Sequence, residues 1–286
     1  MENQSSDNGF EIRNGRIPIL LALKPIKELK PHEEIVESDL RGIIKALERD
    51  PVLRHPIIAD STTGAVLDGT HRLAALSRLD CLTIPAALID YQNPLVQVDR
   101  WFRTIIGQDV QKFVNGLRHR TPIVLTPSEA EDGLRSRSSY ASLRDETHCF
   151  SLMTDIPDPH ELCRAAFRLE KEARKKNLMI NYTDNGDIQN LPVPGRSFLM
   201  STIRLEKSEV VKSGMENAPF PPKSTRHLIP SRPLGINFSL EWLKDANIAK
   251  AEIQFEKHLS SKKVKILPEG SLVGSRRYME QVFLFE

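Results

Sequence analysis

Apolar residues fall along this chain in short runs, some at strand spacing and some at helix spacing, with no fixed internal period and no low-complexity tract. Ile17 to Leu23 reads as a strand that leads into Lys24-Pro25-Ile26, and residues 1 to 15 before it read as a loose tail. Leu40, Ile43, Ile44 and Leu47 stand at i, i+3, i+4 and i+7. That spacing predicts an amphipathic helix with Ser38 as N-cap and Asp50-Pro51 as its stop. Pro56 to Asp60 reads as a strand, Ser61-Thr62-Thr63-Gly64 as a turn, and Ala65 to Leu67 as the partner strand. A helix over 70–79 follows, then strands at Thr83 to Asp90 and Val96 to Ile106, so that a first domain is expected over 16–110.

The second half repeats mixed signals. Asp109 to Leu117 reads as helix, Pro122 to Leu125 as a short strand, and Ser128 to Ser139 as a polar stretch before a hairpin around Tyr140 to Leu152. Asp158-Pro159 opens a helix that carries Leu162, Ala166 and Leu169 on one face. Strands are expected at Leu178 to Tyr182, Ser197 to Thr202 and Tyr278 to Phe285, and short helices at Leu205 to Lys212 and Phe238 to Leu243. The pattern as a whole is a mixed α/β chain of two domains, with 111–286 forming the second.

Composition narrows the class. The chain has 286 residues, 40% hydrophobic and 27% charged, which is the balance of a globular protein of about two domains. A net charge of +2 gives no bulk electrostatic reason for a nucleic-acid partner, whereas a small anion needs only a local basic patch. Cys81, Cys149 and Cys163 contain no Cys-x-x-Cys pair, so they read as buried thiols rather than a disulfide framework or zinc ribbon. No apolar run is long enough to span a bilayer and no signal-peptide pattern opens the chain, so a cytoplasmic protein without a membrane partner is expected.

Two stretches carry chemistry. At Val66-Leu67-Asp68-Gly69-Thr70-His71-Arg72-Leu73 a strand meets a helix through an Asp-Gly turn. Such a junction leaves the first helical N–H groups facing outward, with His71 and Arg72 beside them as donors; it is either an anion site or an ordinary turn. Gly69 lets a bound group approach the backbone, and Asp68 can hold a divalent metal or cap the helix. The second stretch, Phe220 to Pro230, contains Lys223, Ser224, Thr225, Arg226 and His227 between prolines, and reads as a solvated loop or as a segment that wraps a carboxylate or phosphate. There is no Gly-x-x-x-x-Gly-Lys-(Ser/Thr) loop and no protein-kinase signature.

The order Lys30-Pro31-His32-Glu33, Pro56-Ile57-Ile58, Asp68-Gly69-Thr70-His71-Arg72 and Ile84-Pro85-Ala86 resembles the ParB/sulfiredoxin-type domain over about the first hundred residues. Within that superfamily the chain most resembles the free L-serine kinases. They combine an Asp-Gly-x-His-Arg turn with a Lys-Pro-His-Glu loop and a Pro-Lys-(Ser/Thr)-Thr-Arg-His segment, matched here at 68–72, 30–33 and 222–227. The resemblance implies transfer of the terminal phosphate of ADP or ATP, with Mg²⁺, to the hydroxyl of free L-serine. The product is O-phospho-L-serine, a precursor for cysteine or related biosynthesis.

The roles that the resemblance implies fall on named residues. Glu33 matches the catalytic carboxylate, with Asp68 and His71 in the catalytic set. Gly69, Thr70, His71 and Arg72 match the nucleotide- and phosphate-binding turn, and Asp68 is the place for Mg²⁺, directly or through water. Trp101 matches an aromatic near the amino acid, and Lys223, Thr225 and His227 match the substrate-binding residues of a segment over 220–235 expected to close over the substrate, in a ligand cleft between the two domains. Trp101 is equally readable as a core aromatic. Thr70 departs from shorter relatives, which often carry a second His there. Residues 236–286 extend past them, to build a homodimer contact or to complete the second domain. The other reading is a ParB-like nucleotide-gated DNA-binding or regulatory protein without turnover, against which stands the want of paired helix-turn-helix elements after residue 110. Sulfiredoxin chemistry needs a cysteine in the turn, and residues 68–72 hold none.

Overall fold

The computed structural model describes residues 5–6, 9–118, 122–184, 186 and 195–286. The chain divides into two compact units, one of residues 1–97, 210–219 and 227–286, the other of 98–209 and 220–226. This division differs from the expected boundary near 110 and from a second domain running over 111–286. The reason is pairing over long sequence distances. Strand Ser231–Leu234 lies parallel to Gln281–Phe285, and helix Ile248–Ser260 packs on strands Gly9–Ile12 and Ile19–Pro25, which brings the C-terminal part of the chain to the first unit.

In the first unit, a seven-stranded mixed sheet runs in the spatial order Ser5–Ser6, Gly9–Ile12, Ile19–Pro25, Thr83–Ile89, Ile57–Asp60, Ala65–Asp68, Lys30–Pro31. Its centre is Ile57–Asp60, all four residues buried, with a parallel partner at Ala86 to Ile89 on one side and an antiparallel one at Ala65–Asp68 on the other. Residues buried on both faces of a sheet read as continuous apolar runs, and this strand is one. Helix Glu37–Arg49 buries Leu40 and Leu47 and packs on helix Thr70–Arg78. It starts earlier than Ser38 implies, because the backbone N–H of Val36 is bonded at 2.9 Å to His71 Nε2, a cap from another element.

The tail expected at 1–15 contains a strand. Phe10 and Ile12 are 5% and 2% exposed, and Phe10 meets Phe285 edge-on at 5.6 Å. The C-terminal extension therefore completes the first unit rather than the second.

The second unit is a six-stranded antiparallel sheet in the order Pro122–Val124, Cys149–Met153, Ser139–Arg144, Ser197–Thr202, Phe102–Ile106, Met179–Thr183. Phe113, Val114, Leu169, Ala173, Phe198 and Met200 belong to its core, contributed by helices Val110–Arg118 and Pro159–Lys175 and by the sheet. Two elements differ from expectation. The polar stretch over 128–139 holds the helix Pro127–Arg135, begun by a capping box between Thr126 and Glu129 with Pro127 in the first turn. The strand expected over 96–106 is two, Gln97–Asp99 and Phe102–Ile106, because Asp99 Oδ1 turns back on the Arg100 N–H at 2.8 Å and takes it out of any ladder.

Candidate active site

The Asp-Gly turn forms where strand Ala65–Asp68 delivers the chain to helix Thr70–Arg78. Gly69 is the N-cap residue at φ 104°, and a Cβ there would stand 2.6 Å from Ile57 Cγ2. Glycine is required by both the torsion and the space. Because Gly69 has no side chain, no side-chain hydrogen bond caps the helix, and its first turn is left without a side-chain acceptor from the N-cap. Gly69→Ala is expected to lower the unfolding free energy by about 1–3 kcal/mol. Denaturant titration with and without nucleotide should show loss of nucleotide stabilisation as well.

The side chains of the turn are held from several directions. Arg72 donates to the carbonyls of His55, at 3.0 Å, and of Pro56, and to Asp68 Oδ2 at 3.0 Å. Asp68 also receives Arg232, whose Nε is fixed by Glu280 at 2.7 Å. Burial alone would raise the Asp68 carboxyl, but the guanidiniums of Arg232 and Arg72 prevail and hold it well below the usual carboxylate range. A depressed carboxyl stabilises the fold above its unfolded value and loses that contribution as pH falls. Acid unfolding below about pH 4 should therefore be shallower in Asp68→Asn, measured as denaturation midpoint against pH. His71 Nε2 accepts the Val36 N–H, so a neutral ring carries its proton on Nδ1 and offers that N–H as its donor.

Glu33 reaches the same end of the sheet. Strand Lys30–Pro31 runs parallel to Ala65–Val66, in the register Lys30↔Ala65 and Pro31↔Val66, so Glu33 and Asp68 leave the sheet on neighbouring strands. Glu33 is half-buried, and the preceding His32 is 2% exposed with its Nδ1 2.8 Å from the Val66 carbonyl. Burial lowers the proton affinity of His32, against the opposing influences of Glu33 and that carbonyl. Its ring meets His227 edge-on at 5.3 Å, and His227 Nε2 lies 2.8 Å from the Tyr91 hydroxyl. Tyr91 is fully buried and its phenol is pushed up by burial, then by Asp60, so it remains neutral.

In the second unit, Lys223 Nζ and Arg226 Cζ lie 5.1 and 5.6 Å from the centre of the Trp101 ring, within cation–π reach. Lys223 has φ 63°, and its carbonyl accepts from Arg103 Nη2 at 2.9 Å. Arg103 is itself locked to Glu170 at 2.7 Å in a pair whose side chains are 4% and 1% exposed. Ser224 donates to the Pro221 carbonyl at 2.7 Å, Thr225 is buried, and Arg226 pairs with Asp184 at 2.9 Å.

Of the residues named from sequence, Glu33, Asp68, Gly69, Thr70, His71, Arg72 and His227 fall in the first unit, and Trp101, Lys223 and Thr225 in the second. Tyr91, Arg103, Glu170, Arg232 and Glu280 escaped the sequence reading, and no local spacing marks them. Arg226 did have a signal, since it stands inside the Pro-Lys-Ser-Thr-Arg-His segment.

No family model matches the chain. It is similar to an ATP-dependent L-serine kinase of Staphylothermus marinus, 25% identical over 235 residues that cover 79% of this chain and 91% of the relative. An ADP-dependent L-serine kinase of Thermococcus kodakarensis is 23% identical over 224 residues, 76% of this chain and 90% of the relative. A ParB-like protein of Sulfolobus acidocaldarius is 27% identical over 208 residues, 71% of this chain and 87% of the relative. Among solved structures, a free serine kinase variant in complex with ADP superposes with a TM-score of 0.66 at 21% identity, covering 84% of this chain and 98% of that one. SbnI from Staphylococcus aureus, with its C-terminus truncated, gives 0.66 at 19% identity, covering 84% and 95%.

Proposed function

We propose that this chain is a small-molecule kinase that transfers the terminal phosphate of ADP or ATP to the hydroxyl of free L-serine, giving O-phospho-L-serine. The observation that carries the reading is the uncapped first turn of helix Thr70–Arg78 behind Gly69, which suits phosphoryl oxygens beside a carboxylate. The names of the curated relatives, which include ATP-dependent and ADP-dependent L-serine kinases, support the same reaction class.

Phosphoryl transfer asks a protein for in-line positioning and for neutralisation of oxygen charge rather than for covalent chemistry. The amides after Gly69 and the Nδ1–H of His71 supply donors. Arg72 acts first as a clamp: its bonds to residues 55 and 56 and to Asp68 fix the turn, and its charge adds to the field there. Serine's hydroxyl is a weak nucleophile at neutral pH, and Glu33 takes its proton as the new O–P bond forms. Mg²⁺ borne on the nucleotide needs no protein cage, only one or two carboxylates and water. Asp68, already between two guanidiniums, suits contact through a water, and the ion supplies further neutralisation of the phosphoryl oxygens.

Lys223 and Arg226, held around Trp101 by the buried Arg103 anchor, suit the carboxylate of an amino acid. Thr225 and His227, on the same stretch of sequence, are the further substrate-binding residues of this reading. Lys223→Ala is expected to raise KM for serine about 10- to 100-fold, the worth of one charge-assisted hydrogen bond, with little change in kcat. Steady-state kinetics with L-serine and with its decarboxylated analogue ethanolamine test this. A lysine that holds the carboxylate makes the two substrates converge in the variant, while an unchanged preference for L-serine removes Lys223 from that role. Nucleotide and free amino acid as substrates place the work in the cytoplasm, and the product feeds cysteine or related synthesis.

A further inference from the structure

The sheet of the second unit has a face that the Lys223 segment does not use. Arg103 and Leu143 are both register partners of Met200 and look toward the helix-covered core. By alternation, Phe102, Ser142, Arg144 and Ser201 look the other way. On that side lies a cavity of about 430 Å³, and four arginines line it, Arg100, Arg135, Arg144 and Arg204, against a single carboxylate, Glu131. The volume suits a small ligand, and the lining excludes a cation and disfavours an apolar one.

The arginines are fixed but incompletely satisfied. Arg100 is 3% exposed; its Nη1 donates to the Thr202 carbonyl at 2.5 Å and its Nη2 to Glu131 at 2.5 Å, while its Nε is buried with no hydrogen-bond partner among the described residues. Arg144 repeats the pattern, with Nη2 given to the Gly186 carbonyl and Nε buried without a partner among the same residues. Arg204, whose side chain is 52% exposed, is set at the cavity by Asp99 at 2.8 Å and Glu131 at 3.3 Å. Outside the cavity Arg135 pairs with Asp132 at 3.3 Å. Four guanidiniums around one cavity against one lining carboxylate suit an acceptor with several oxygens. The hydroxyls of Ser142 and Ser201 line the same wall and add neutral donors.

We propose that this cavity binds a small oxyanion-bearing molecule, whose phosphate or carboxylate oxygens are held by the guanidiniums that line it, at a site separate from the kinase reaction. Separation follows from the strand itself, since Phe102 and Arg103 point to opposite faces. The inference stands apart from the kinase reading and is tested without turnover. Calorimetric titration of the full chain, in chloride buffer at low ionic strength and without nucleotide or serine, uses inorganic phosphate in one arm and citrate in the other. Saturable binding is expected in at least one arm, and the arm that binds tells phosphate from carboxylate recognition. Arg144→Gln and the more exposed Arg204→Gln are each expected to weaken it at least tenfold. Absence of saturable binding of either anion to the folded protein overturns the proposal, as does an affinity that neither arginine variant alters.

Discussion

Replacing Glu33 with Gln is expected to lower kcat by about 10²- to 10⁴-fold, the range that a positioned general base contributes, while nucleotide still binds. The substitution keeps shape and hydrogen-bonding capacity and removes only the ability to take a proton. Glu33 is half-buried on a segment tied down at both sides of it. Before it, Lys30 and Pro31 pair with Ala65 and Val66, and Gly214 lies so close to Lys30 that a Cβ there would stand 3.0 Å from the Lys30 carbonyl oxygen. After it, Val36 is capped by His71. A fold change is therefore not expected, and thermal unfolding should match the parent. Single-turnover kinetics with bound nucleotide separate the chemical step from binding. A variant that retains near-parental turnover takes the base role away from Glu33.

Arg103→Met is expected to destabilise the protein by about 3–5 kcal/mol, because it leaves Glu170 buried and charged without its partner. Among the described residues Glu170 then keeps the Tyr182 hydroxyl, at 2.6 Å, as a donor. That phenol, pushed up to about 12 by burial and then by Glu170, remains a neutral donor. Replacing both members of the pair should restore most of the stability, since a well-packed apolar pair often does as well as a buried ion pair. It should not restore the KM for serine, because Arg103 Nη2 also anchors the Lys223 carbonyl. Denaturant unfolding and kinetics of the single and double variants distinguish the two effects. Recovery of both together would mean that the Lys223 segment needs no anchor.

What the sequence revealed follows the range of the interactions. The hairpin over 57–68, the turn at 68–72 and the helix around Leu40 to Leu47 arise from neighbours a few positions apart, and periodicity and turn chemistry display them. The capping box at Thr126 and the spacing of Ala251, Phe255 and Leu259 at i, i+4 and i+8 are equally local signals for helices. The domain division had no local sign. It depends on Ser231–Leu234 lying beside Gln281–Phe285 and on Phe10 meeting Phe285, contacts between distant parts of the chain.

The site divides in the same way. Asp68, Gly69, His71 and Lys223 stand out as a spacing of residue types, so their chemistry was visible. Arg232 reaches Asp68 across 164 positions and takes its own orientation from Glu280, while Tyr91 reaches His227 across 136. An Arg between Ser and Pro, or a Tyr after Asp, announces nothing until the fold places it. Arg72 shows the converse. Its type and place suggested a phosphate donor, and its geometry adds the clamp on residues 55, 56 and 68.

Phosphorus NMR of the protein with Mg²⁺ and L-serine, with ADP and ATP in separate tubes and Glu33→Gln as control, tests the central claim most directly. A growing O-phosphoserine resonance in at least one tube, absent from the control, is the predicted result, and the tube in which it grows names the donor. Nucleotide left intact in both tubes by folded protein, or consumed with only inorganic phosphate released, would contradict it.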